Sequence, residues 1–367
     1  MRLLLTILAL TTTAPSLPNL THDDNARHTP TVHERAQSIL HQKQLHETFN
    51  ATEQRVSTTG RHQFIAPSST DLRGPCPFLN AAANHGYIDR SGYTTAWEVI
   101  SVAVNVFGMG TDLATFLSSY AAIVHGDSIA FSIGGTSVKW QAATSAGQHT
   151  RGTGFSGSHN SMECDGSPIS SDAFGKQTRF GARVEHLKQL FGLHQHSRDA
   201  NFDMPTLTDF RAVRQAHSIA ENKFFFNGPF TGLIMQPASY SFMYRLLANH
   251  SAEHPSGHLT QDVLESVYGI TTEKGKMKYT PGHERIPHNW YRRSRKIPYD
   301  NQFLLNDTIY QASHHPEFFR LGGNIDGEAN RFRPVDIKAM TDGVYRAATL
   351  HEDWNFACVK SFPRVAT

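Results

Sequence analysis

Apolar positions recur at helical spacing along several stretches of the chain. Over residues 94–107 they fall at Trp97, Ile100, Val104 and Phe107, which predicts an amphipathic helix. Residues 112–125 repeat the pattern with Leu113, Phe116, Leu117, Tyr120 and Val124, and Gly108 and Gly110 separate the two segments. A third helix is expected over 183–191 on Val184, Leu187, Leu190 and Phe191, and a fourth over 206–221 with Leu207, Phe210 and Val213 inward. Thr260 is the expected N-cap of a fifth, which carries Val263, Leu264, Val267 and Tyr268. Strand signals are few, chiefly the alternation Ile129, Phe131, Ile133 ahead of Gly134-Gly135. Beyond residue 270 the chain turns loop-rich, punctuated by Pro281, Pro287, Pro298, Pro316 and Pro334. The expected fold class is mainly α: a single helical domain with few short strands and a loop-rich C-terminal part.

The N-terminus has the pattern of a secretory signal over residues 1–18, with Arg2, an apolar run at 3–10 and small residues at 11–16. That run falls short of the roughly 20 residues needed to span a bilayer. Four Asn-x-Ser/Thr sequons, at Asn19, Asn50, Asn249 and Asn306, agree with a secreted protein or one in the secretory-pathway lumen. Residues 19–61 are polar and lack sustained periodicity, so a leader or arm is expected there, followed by a domain over 62–270 and a C-terminal extension over 271–367 packed on it. With 39% hydrophobic residues the chain is not disordered, and a mean hydropathy of −0.41 excludes a multi-span membrane protein. Its 34 basic and 32 acidic residues nearly cancel, so no charge field points to nucleic acid. The three cysteines, Cys76, Cys164 and Cys358, are too few for a disulfide scaffold, and at least one is unpaired: buried, coordinated or reactive.

Two segments carry candidate chemistry. In Gly74-Pro75-Cys76-Pro77-Phe78-Leu79-Asn80, Pro77 suits the first position of a helix that Gly86 ends. Cys76 is then the N-cap, and the free N–H groups of Phe78, Leu79 and Asn80 together with the helix dipole favour a thiolate. A thiolate so placed suits a nucleophile or an axial metal ligand. His85, nine residues on, is badly placed as its base, and an inert cysteine in a Pro-rich turn is the bland alternative. The second segment, Glu163-Cys164-Asp165-Gly166-Ser167, gathers oxygen donors without apolar periodicity. Such a loop suits a hard cation such as Mg²⁺, or is simply a hydrophilic turn. Cys164 with His159 offers only two donors to a soft metal, short of a zinc site.

The two segments, in this order, resemble the fungal haem-thiolate peroxidases of the chloroperoxidase and unspecific peroxygenase type. The family's Pro-Cys-Pro followed by Leu-Asn and Asn-His-Gly is matched by Pro75-Cys76-Pro77, Leu79-Asn80 and Asn84-His85-Gly86, and its Glu-x-Asp with a following Ser by Glu163, Asp165 and Ser167. Phe131-Ser132-Ile133-Gly134-Gly135 is also similar to the family's sequence. The resemblance implies a chloroperoxidase-like fold around haem b, with Cys76 as axial thiolate. It also implies Mg²⁺ held by Glu163, the Cys164 carbonyl and Ser167. The implied activity is oxidation of a small organic substrate with hydrogen peroxide, with a place in secondary-metabolite biosynthesis as one possible setting.

One departure stands out. The family's distal Arg and Glu, seven residues apart, fall on Thr231 and Ala238 without a gap, or on Gly232 and Ser239 with one. None supplies an acid–base group, which leaves Gln236, His217 and Glu221 as substitutes to be tested against the structure. A haem-thiolate protein without peroxide turnover, whether a rearrangement or dehydration enzyme or a non-catalytic ligand-binding glycoprotein, is the alternative expectation.

Overall fold

The structure, a computed structural model, describes residues 48–136, 152–172 and 181–340. The signal segment 1–18, Asn19 and Cys358 lie outside the described residues. The main unit runs from Pro30 to Pro334; the short helix Ile337–Met340 belongs to a second unit. Helices dominate the main unit: α1 (Ala51–Gln54), α2 (Pro77–Asn84), α3 (Ala96–Asn105), α4 (Thr111–His125), α5 (Val184–Gly192), α6 (Met204–Glu221), α7 (Gln236–Leu247), α8 (Gln261–Val267) and α9 (Asn301–His314). Strand β1 (Tyr93–Thr95) pairs antiparallel with β2 (Ala130–Ser132), and β4 (Ile270–Glu273) with β5 (Lys276–Tyr279). Strand β6 (Gly322–Asn324) lies between β3 (Phe226–Asn227) and β7 (Phe332–Pro334). The protein is mainly α, as its periodicity predicts.

Local chemistry sets the helix starts. Thr95 and Glu98 close a capping box at α3, with Glu98 N donating to Thr95 Oγ1 (3.2 Å) and Thr95 N to Glu98 Oε2 (2.8 Å). Asp203, Thr260 and Asp300 cap α6, α8 and α9 by accepting from the N–H three residues on, without the reciprocal bond. The buried faces match the spacing in α5, where Leu187, Leu190 and Phe191 are buried, and in α8 with Val263, Leu264 and Val267, but differ in part in the other helices. Trp97 is 77% exposed, and α3 buries Val99, Val102 and Val106 instead. Val124 and Val213 are exposed as well, while Leu113, Leu207 and Phe210 are buried. In the short strand β2 Phe131 is buried and Ile133 follows it inward, but Ile129 is exposed. An apolar-rich helix such as α3 carries two possible stripes, and only its packing on α4 selects one.

Two long helices left no amphipathic trace. Helix α7 is buried almost all round, from Gln236 to Leu247, so it has no polar face to reveal its period. Helix α9 turns Asp307, Thr308 and Gln311 inward beside Leu304 and Leu305. Asp307 forms a bidentate pair with Arg245 (3.0 and 2.8 Å), which satisfies the charge that burial would otherwise penalise.

The described residues 48–61 and 271–334, from the stretches expected to be an arm and an extension, pack within the main unit. Gln54 and Val56 are buried; Gln54 Nε2 donates to Arg292 O (2.9 Å) and Val56 N to Trp290 O (3.0 Å). The Trp290 indole in turn donates to Leu247 O at the end of α7 (3.0 Å). Three apolar clusters result, and the half-buried Phe78 packs against all of them. It meets Phe107 edge-on at 4.6 Å between ring centroids.

His250, fully buried where α7 ends, faces the carbonyl oxygens of Pro255 (3.0 Å) and Arg245 (3.1 Å). Burial, reinforced by the Arg293 charge, pushes its pKa down to about 4 from an ordinary 6.5. The folded state therefore resists protonation that the unfolded chain accepts. Its contribution to stability is present above about pH 6.5 and is lost as pH falls toward about 4. His250→Asn is expected to flatten the fall in unfolding free energy over that interval, as measured by urea denaturation at stepped pH.

Candidate active site

Cys76 stands at the N-cap of α2 with extended backbone, and Pro77 opens the helix. Asn80, one turn on, uses its carboxamide to hold the loop that carries the sulfur: Gly74 N donates to Asn80 Oδ1 (3.0 Å) and Asn80 Nδ2 to Gly74 O (2.8 Å). A side chain at Gly74 would strike Ile133 O, so only glycine lets the loop lie against that strand. At the far end of α2, Asn84 accepts from Arg73 Nε (2.9 Å) and Nη2 (2.7 Å) and donates to the carbonyls of Gly282 (2.7 Å) and Glu284 (2.9 Å). His85 accepts from Ile286 N (3.2 Å) and takes no part near the sulfur. The N–H groups of Leu79 and Phe78 favour a thiolate, as the N-cap placement predicts, and burial opposes it. Burial raises the Cys76 thiol to about 11, and the amides of Leu79 and Phe78 offset only part of that because the sulfur closes no full capping bond.

The Glu163–Ser167 segment is a loop, folded on two anchors. Ser158 O accepts from Met162 N (2.9 Å), Glu163 N (3.1 Å) and Ser161 Oγ (2.7 Å), winding the chain into a tight turn. Gln236 Nε2 and Tyr240 Oη on α7 then donate to the carbonyls of Asp165 (2.8 Å) and Gly166 (2.7 Å). Gly166 has φ +70, and a Cβ there would come within 2.6 Å of Gln236 Nε2. Asp172 Oδ1 accepts from Gly166 N (3.0 Å) and from Ser218 Oγ (3.0 Å), tying the loop to α6. Burial pushes the Glu163 carboxyl up to about 8 and raises the Cys164 thiol. Ser167 Oγ accepts from Ser170 N (3.2 Å), and Asp165 lies 3.5 Å from His159 Nε2.

Both segments open on one cavity of about 240 Å³. Cys76, Glu163, Cys164 and Ser167 all line it, so the structure brings together residues nearly ninety positions apart in sequence. Its wall is otherwise mainly apolar, with Phe78, Phe107, Phe131, Phe155, Phe242 and several methionines, interrupted by His159, Ser239 and Glu284 among others. Among the described residues that line it, none is Arg or Lys.

Of the four positions expected opposite the sulfur, Ala238 and Ser239 line the cavity; Thr231 and Gly232 do not. The latter sit in a π-helical turn, Thr231–Met235, ahead of α7, buried against the strand Phe226–Asn227. The three substitutes also fail. Gln236 is spent on Asp165 and on the buried Arg211, whose Nε (3.1 Å) and Nη2 (2.9 Å) donate to its Oε1. His217 and Glu221 are exposed on α6 and do not line the cavity. Glu284, a cavity-lining carboxyl that burial pushes up to about 7, was missed. It lies in a Pro-rich stretch without periodicity, and only the contact of that stretch with α2 brings it to the site.

Comparison with known proteins shows the family of the chain. Residues 62–295 match the family model described as "Peroxidase, family 2". The chain is 37% identical over 310 residues to a dothistromin biosynthesis peroxidase of Dothistroma septosporum, covering 84% of this chain and 73% of that protein. It is 35% identical over 326 residues to an aromatic peroxidase of Fusarium equiseti, covering 87% and 73%. An aromatic peroxygenase of Coprinellus radians is 31% identical over 198 residues, covering 51% and 71%.

A Cβ at Gly232 would strike Asn227 Oδ1, whereas a residue facing the cavity has room beside it. Gly232→Ala is therefore expected to destabilise the fold by about 1–3 kcal/mol through overpacking. Ala238→Ser, on the cavity wall, should cost less than half as much in the same denaturation assay.

Proposed function

Because the chain belongs to peroxidase family 2, we propose that the cavity holds haem b on the Cys76 thiolate. The enzyme is a peroxidase or peroxygenase, an oxidoreductase that uses hydrogen peroxide on a small organic substrate. The observation that carries the haem proposal is a soft donor at a helix N-terminus, buried in the wall of an apolar cavity lined by no Arg or Lys among the described residues. The fit is chemical. A thiol raised to about 11 by burial lacks a counter-charge, and a bound iron cation would provide one. Bound haem would supply the iron that activates peroxide and passes its oxidising equivalents to the substrate. The chain's own part is to hold the sulfur through the Asn80 clasp, to exclude water with the aromatic wall, and to admit an apolar substrate.

Glu163, the Cys164 carbonyl and Ser167 lie on the same wall, which supports the proposal that they take a Mg²⁺ ion at the cofactor's edge. Among the described residues no cation offsets the burial of the Glu163 carboxyl, and a divalent ion would remove that penalty. Among the described residues no group of three or more His, Cys, Asp and Glu side chains forms a metal cluster, so such a site depends on oxygen donors from the backbone, Ser167 and the cofactor itself.

The relatives' names place two of them with aromatic substrates and one in dothistromin biosynthesis, which supports a secondary-metabolite role with an aromatic substrate for this chain. The apolar N-terminal run and the exposed sequon residues Asn50 and Asn306 support a route through the secretory pathway. Readings without peroxide turnover find no comparable support.

Reduced, carbon monoxide-treated protein should show the red-shifted band of a thiolate haem, and Cys76→Ala should lose the band and its peroxide turnover. A variant that keeps both at unchanged haem loading would refute the assignment. The cavity face of α7 carries no carboxylate or guanidinium at Ala238 or Ser239. A positioned acid–base group contributes about 10²–10⁴-fold, so Ser239→Glu should raise peroxide turnover by at least about tenfold. No gain with haem intact would mean that another wall residue already moves the proton.

A further inference from the structure

Glu284 is 4% exposed yet lines the cavity, and its Oε2 has no hydrogen-bond partner among the described residues. A buried carboxyl oxygen left unpaired costs free energy, so its surroundings bear inspection. The segment that carries it is pinned to α2, the helix that presents Cys76. Asn84 Nδ2 holds Gly282 O and Glu284 O, and Ile286 N donates to His85. Asn80, which clasps Gly74 beside the sulfur, stands on the same helix.

Among the described residues no cation neutralises the group by contact. Arg73 spends Nε and Nη2 on Asn84 Oδ1 and Nη1 on the carbonyls of Leu72 (2.7 Å) and Arg90 (2.9 Å). Arg285, the next residue in the chain, is stacked on the Phe64 ring at 3.8 Å. His85 is engaged by His62 O (2.7 Å) and Ile286 N. The field of Glu284 therefore reaches Cys76, where it opposes charge on the sulfur and raises the thiol.

We propose that Glu284 is a positioning residue for the axial sulfur: its carboxylate charge, fixed on the wall of the cavity that Cys76 lines, opposes further negative charge on the ligand and holds the bound iron oxidised. The inference rests on the assignment of Cys76 as axial ligand. A negative charge near the iron disfavours the addition of one electron, so its removal makes ferric iron easier to reduce. Glu163 acts on Cys76 in the same sense from its own loop, and Glu284 adds its charge from the segment pinned to α2.

The test is the ferric/ferrous midpoint potential of the haem-loaded protein, titrated with dithionite at about pH 9, above the range in which the carboxyl holds its proton. Glu284→Gln keeps the shape and removes the charge; Glu284→Asp keeps the charge and shortens the arm. The expected result is a rise for Glu284→Gln equivalent to about tenfold in the reduction equilibrium, about 59 mV for one electron. Glu284→Asp should stay within a third of that from wild type. The reverse pattern, Gln silent and Asp shifted, marks a merely structural role and overturns the proposal. If Glu284→Gln fails to fold, the size-matched pair Glu284→Asn and Glu284→Asp isolates the same charge, and equal potentials overturn it. The carbon monoxide band separates the two levels: a red-shifted band in every variant with unmoved potentials sinks only the role of Glu284. A wild type without that band sinks the axial assignment and this proposal with it.

Discussion

The carboxamide of Asn84 is the joint on which the cysteine side of the cavity depends. It accepts from Arg73 and donates to two carbonyls of the 282–284 segment, joining stretches about two hundred residues apart in sequence. The side chain is fully buried, so each of these bonds forms where water cannot compete. Through it helix α2, the Gly74–Cys76 loop and the proline-rich segment after β5 become one rigid piece. Asn80 repeats the device one turn earlier on Gly74. The sulfur of Cys76 is thus placed by amide geometry rather than by the helix start alone.

The opposite wall depends on a buried cation. Among the described residues Arg211 has no carboxylate partner; it donates to Gln236, to Gln311 (2.9 Å) and to Gly232 O (3.1 Å), and stacks on Phe318 at 3.8 Å. Burial pulls its pKa down to about 9, which measures how little compensates the charge. In return it fixes the π-helical turn before α7 and orients Gln236, whose other end holds Asp165. The Glu163–Ser167 loop and the cavity face of α7 are therefore set together. A change in one moves the other, and this coupling explains why Gln236 is unavailable for proton transfer.

Between these walls the titratable groups share one tendency. Cys76, Glu163 and Glu284 are each pushed toward the neutral form by burial, and the described lining offers no Arg or Lys. A cavity of this kind is at ease only with a guest that brings its own positive charge. That matches the chemistry of the family and gives the wall carboxyls a role that depends on what they face.

The sequence by itself determined the helix starts, the capping residues, the two chemical segments and their family resemblance. These are local: Pro77, the Thr95–Glu98 box, Thr260 and Gly166 act through neighbours a few residues away. Which face each helix buries was decided by packing, since α3 carries two apolar stripes and exposes Trp97. Helices α7 and α9 were illegible because one is buried all round and the other turns Asp307 and Gln311 inward to meet Arg245 and Arg211. The register opposite the sulfur was likewise out of reach. A π-turn adds a residue to the helical rotation, so Thr231 and Gly232 point away while Ala238 and Ser239 face the cavity. Glu284 gave no signal in its own segment; its place in the wall exists only because Asn84 draws that segment onto α2, a contact that no sequence spacing encodes.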